Sequence, residues 1–76
     1  MNRNRRELLN RAENLLDEAS ELISTALDQE QDCLDNIPEN LQDSERYQKM
    51  ENAIENLESA IDSIDEAKGS IDAASE

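Results

Sequence analysis

Apolar residues recur every seven positions along two runs of this chain, and a single proline separates the runs. That pattern leaves few folds open. In the first run Leu8, Ala12, Leu15, Ala19, Leu22 and Ala26 alternate steps of four and three, with Leu9, Leu16 and Ile23 in a parallel row one residue on. Steps of three and four keep side chains on one face of a helix, so the run predicts a long amphipathic helix over about residues 5–35. With Ala12 set at heptad position a, the small residues Ala12, Ala19, Ala26 and Cys33 fall at a, Leu8, Leu15 and Leu22 at d, and Leu9, Leu16 and Ile23 at e. Gln29 at the next d position weakens the stripe.

Asn36-Ile37-Pro38 ends this helix, because the proline ring disfavours helical geometry at the residue before it and removes a backbone donor. Residues 36–43 then read as a connector. Pro38-Glu39-Asn40-Leu41 suits one short helical turn, and Ile37 and Leu41 are placed to cover the open end of a bundle. Asp43 or Ser44 is the expected N-cap of a second helix over about residues 44–74. Its stripe is stricter: Tyr47, Met50, Ile54, Leu57, Ile61 and Ile64, with Lys68 and Ile71 in register. Ala53, Ala60, Ala67 and Ala74 form a second small-residue row, and Gly69 is a candidate stop after which the last turn frays.

The expected architecture is all-α: an antiparallel two-helix hairpin assembling into a four-helix bundle or a larger helical homo-oligomer. Each stripe takes three positions of seven, wider than one neighbour covers, and 76 residues form a small core at best. Alanine rows let helices approach closely, so they are expected to face each other within the hairpin, leaving the leucine and isoleucine rows for a second copy.

Composition removes most chemistry. Catalysis has few candidates: there is no histidine for acid–base work, one cysteine gives no plausible zinc ligand set, and no Gly-rich loop offers a phosphate cradle, so no enzyme, cofactor or metal is expected. Cys33 reads as a small buried hydrophobe in a reducing cytoplasm. The basic start is interrupted by Glu7, Asn10, Arg11 and Glu13, which suits neither a secretion signal nor a membrane span.

Charge is uneven. The net value is −13, yet residues 1–11 hold Arg3, Arg5, Arg6 and Arg11 against Glu7 alone. Cations at a helix start oppose the helix dipole, so something negative should compensate them. One source is internal, from Asp62, Asp65, Glu66, Asp72 and Glu76 at the far end of the second helix; the other is a bound anion held by Arg3, Arg5, Arg6, Arg46 and Lys49, with Tyr47 stacking on a base. Tyr47 also reads simply as a seam residue with its hydroxyl at the surface. On the second helix Glu51, Glu55, Glu58, Asp62, Asp65 and Asp72 form an acidic stripe, with neighbours about 5–6 Å apart. That spacing is comparable with phosphates along a nucleic-acid strand. A stripe of this kind also serves simply as a solvated face.

The segment Pro38-Glu39-Asn40-Leu41-Gln42-Asp43-Ser44-Glu45-Arg46, with Met50-Glu51-Asn52-Ala53 and the Leu57, Ala60-Ile61, Ile64 repeat, resembles a group of short acidic helical proteins of phages and prophages of Gram-positive bacteria. The resemblance implies a mobile-element setting, in which small oligomeric proteins bind host defence proteins or sequester their nucleotide signals. Three functions are therefore expected, in this order. The first is a counter-defence accessory protein in the bacterial cytoplasm that captures an anionic, nucleotide-like ligand. The second is an acidic DNA mimic that inhibits a host DNA-binding or defence protein, and the third a purely structural oligomerisation module. The expected partners are further copies of the chain with such a ligand or host protein, not nucleic acid and not a membrane.

Overall fold

The computed structural model covers residues 1–76 and is an all-α hairpin. Helix α1 spans Arg3–Asp35, a short 3₁₀ turn spans Glu39–Leu41, and helix α2 spans Glu45–Ser75. The two long helices pack antiparallel into a rod of 59 × 15 × 13 Å.

Each helix begins at a polar cap. The Asn2 side chain accepts from the Arg5 backbone N–H at 2.9 Å, and the Ser44 hydroxyl accepts from the Tyr47 N–H at 3.2 Å. Both bonds satisfy donors that lack a partner within the helix. Between the helices, the Leu41 N–H donates to the Pro38 carbonyl at 2.9 Å, closing the turn that the proline opens. Gly69 does not stop α2, which runs through it to Ser75, where the terminal hydroxyl donates to the Ile71 carbonyl at 2.9 Å.

One seam holds the hairpin together. From α1 it takes Leu9, Ala12, Leu16, Ala19, Ile23, Leu27 and Leu34; from α2 it takes Tyr47, Met50, Ile54, Leu57, Ile61, Ile64, Lys68 and Ile71, all at least half-buried. Only Met50 and Ile54 are buried, at 9% and 7% exposed. Two helices cannot enclose more, since each covers the other on one side only.

The small residues line this seam only in part, not along their whole rows as the spacing suggests. Ala12, Ala19, Ala53 and Ala60 are half-buried, whereas Ala26, Cys33, Ala67 and Ala74 are exposed. Large side chains win the inside because burying them removes more apolar surface from water than close backbone approach recovers. Thus the isoleucine row of α2 and the Leu9, Leu16, Ile23 row of α1 face inward. Leu8, Leu15 and Leu22 are the ones left outside, at 54%, 63% and 73% exposed. Cys33 is exposed rather than a buried hydrophobe. At the turn Ile37 is half-buried, but Leu41 stays 50% exposed and closes nothing.

Candidate functional site

A step of one residue along a helix turns the side chain by about 100°. In an antiparallel pair, the residue before each seam position therefore falls on one side of the hairpin in both helices, and the residue after it falls on the other. Leu8, Leu15 and Leu22 precede the seam residues Leu9, Leu16 and Ile23; Ala53, Ala60, Ala67 and Ala74 precede Ile54, Ile61, Lys68 and Ser75. These rows share one side with Asn56, Ser63 and Ser70. On the other side, after the seam, lie Glu51, Glu55, Glu58, Asp62, Asp65 and Asp72. The hairpin thus has one side of leucine, alanine and short polar residues, edged by Arg11 and Glu18 on α1 and by Arg46 and Lys49 near the turn, and one acidic side.

Polar contacts across the helices fall on the acidic side. Lys68, half-buried in the seam, makes an ion pair with Asp17, and the hydrogen bond between them raises the Lys68 pKa from its ordinary 10.5. Nearby, Glu13 of α1 faces Asp72 of α2; hydrogen bonding to Asp72 raises the Glu13 pKa from 4.5, and desolvation and the anionic charge of Asp72 add to the effect. Glu51, Glu55, Glu58, Asp62 and Asp65 are all exposed and none is paired with a cation. No Lys or Arg occurs from Met50 to Ala67. The helix geometry spreads these five carboxylates over about 21 Å.

The basic residues of the expected ligand site stand in two groups. Arg3, Arg5 and Arg6 stand at the start of α1, beside the end of α2, whereas Arg46, Tyr47 and Lys49 stand at the start of α2, beside the turn. These are opposite ends of a 59 Å rod, so one chain does not bring the two groups together. Nor does the far end of α2 compensate the first arginines. Arg3 pairs within its own helix with Glu7 at 3.3 Å, Lys49 pairs with Glu45 at 3.4 Å, and Arg5, Arg6, Arg11 and Arg46 have no ion pair. Exposed pairs of long side chains gain little in water, so nothing forces these cations towards the carboxylates of the other helix. Tyr47 is half-buried in the seam, with its backbone bonded to the Ser44 cap. Arg46 instead lines a shallow groove at the turn with Cys33, Ile37, Pro38 and Leu41.

No group of three or more Cys, Asp or Glu side chains converges as a metal cage would require. Neither helix is long and apolar enough to cross a membrane. The chain matches no family model, no curated protein and no solved structure.

The exposed leucine row is the feature that heptad counting alone does not isolate. Leu8 and Leu9, Leu15 and Leu16, Leu22 and Ile23 enter the stripe as equivalent neighbours. A signal was nonetheless present: on α2 each seam isoleucine is preceded by alanine or a polar residue, whereas on α1 each seam residue of the e row is preceded by leucine.

Proposed function

We propose that this chain is a non-catalytic protein that acts by stoichiometric binding, presenting the acidic side of α2 to a basic protein surface of the kind that holds nucleic acid. The observation that carries this reading is the run of Glu51, Glu55, Glu58, Asp62 and Asp65, exposed, free of cations and held on one rigid helix. A solvated face needs charge but not such one-sidedness, because interspersed charges of both signs serve solubility as well. A rigid row of anions about 5–6 Å apart offers a cationic groove the charge pattern of a phosphate backbone without bases to read. In the mobile-element setting implied by the sequence resemblance, the basic surface belongs to a host defence or DNA-binding protein.

Nucleotide capture by the arginines is the weaker reading. It requires Arg3, Arg5 and Arg6 of one copy to meet Arg46, Tyr47 and Lys49 of another, end to end.

The test is direct. The hairpin is immobilised, exposed to bacterial lysate and eluted with a short DNA duplex, alongside a chain carrying Glu51→Gln, Glu58→Gln and Asp65→Gln. The reading expects a protein that duplex DNA displaces and that the triple variant does not retain. A partner held equally by both chains, or indifferent to DNA and salt, would overturn it.

A further inference from the structure

We infer that the leucine side of the hairpin is a self-association surface, on which a second copy packs with its α1 antiparallel to the first and with the two-fold axis at Leu15. Leu8, Leu15 and Leu22 lie seven residues apart in a row, and exposure rises along it from 54% to 73%. Such a row is straight enough to meet another helix along about 21 Å. What identifies the occupant as a second copy is the register.

With Leu15 opposite itself, Leu8 falls opposite Leu22 of the partner subunit, and the row is complementary to itself. The same register decides where the flanking charges go. In an antiparallel pair like flanks meet, and Arg11, four residues before Leu15, comes level with Glu18 of the partner subunit, which is three residues beyond its own leucine. The offset is one residue, about 1.5 Å along the axis. Both side chains are exposed and unpaired within the hairpin, and the symmetry makes the pair twice. A parallel pairing through the same leucines would put Arg11 and Glu18 of the two copies on opposite flanks of the contact, so the pair could not form.

Two further features admit the second copy. Ala53, Ala60, Ala67 and Ala74 lie on the same side as the leucines, so the neighbouring α2 helices present small side chains rather than bulk. The acidic stripe points away. Chains of charge −13 can thus associate without setting carboxylate rows face to face.

The test uses four full-length chains in sedimentation equilibrium, each checked for helix content by circular dichroism: wild type, Arg11→Glu, Glu18→Arg, and the double swap. Wild type is expected at twice the chain mass of 8.6 kDa. Each single swap turns both ion pairs into like-charge contacts and is expected to weaken the dimer by roughly tenfold or more. An equimolar mixture of the two single swaps restores both pairs, as does the double swap, and both are expected to dimerise like wild type. Single swaps that associate as tightly as wild type would overturn the proposal, as would a mixture that stays apart. A wild-type chain that remains monomeric up to millimolar concentration would overturn it too, leaving the leucine row to a foreign helix.

Discussion

Replacing Leu15 with alanine separates the inside of the hairpin from its outside. Three carbon atoms are removed, each contributing about 0.8 kcal/mol when buried, or about 2.4 kcal/mol for the side chain. Within the hairpin only the smaller share of that is realised, because Leu15 is 63% exposed. The single chain should therefore lose less than about 1 kcal/mol, part of it regained from the higher helix propensity of alanine. Across the two-fold axis the arithmetic reverses. The exposed share amounts to about 1.5 kcal/mol per copy and about 3 kcal/mol per dimer, some two orders of magnitude in Kd. Sedimentation equilibrium measures the dissociation constant, and urea melts taken well below it measure the hairpin. Leu16→Ala is the contrasting case: half-buried in the seam, it should lower the stability of the hairpin at every concentration. If Leu15→Ala associates as tightly as wild type while its hairpin is intact, the leucine row is not the contact and the reasoning fails.

Other perturbations read separate parts of the fold. Because the Glu13 pKa is raised by its contact with Asp72, the contact favours the folded chain when Glu13 is protonated and loses that effect as pH rises through the elevated value. Thermal melting should consequently rise as pH falls from 7 towards 4.5, with relief of the −13 charge acting in the same direction, and Glu13→Gln should flatten the dependence. Gly69 sits inside α2 with open space where a Cβ would go, so Gly69→Ala should stabilise the hairpin by about 0.5–1 kcal/mol in urea unfolding. A loss on that substitution would mean the helix is not continuous there.

Much of the architecture was legible because local rules and the tertiary arrangement agree. Pro38 ends α1, Ser44 caps α2, and the three-four spacing marks the apolar stripe of each helix. Less legible was which of two adjacent rows on α1 turns inward. Leu15 and Leu16 are both leucine, and the choice depends on how α1 rotates to meet the isoleucines of α2, which is not a local property. The alanine rows misled for a related reason: close approach is available to them, but the hairpin gains more by covering Ile54, Leu57 and Ile61. Cation placement was the least readable. A helix dipole makes an N-terminal end unfavourable for arginine, but it does not fix where a compensating charge lies. Arg3, Arg5 and Arg6 are at one end of a rod and Arg46 and Lys49 at the other, a separation that follows from the hairpin's length rather than from any motif.

Cys33 offers the most direct measurement of the central claim that a second copy covers the leucine row in antiparallel register. It is the only cysteine, it is exposed, and it lies on α1 well beyond Leu15. Spin labels on Cys33 in the dimer should show one dominant distance of about 54 Å, set by the rise of 1.5 Å per residue on both sides of the two-fold axis. A short distance, as parallel helices would give, or no dipolar coupling at concentrations where the chain sediments as a dimer, would contradict it.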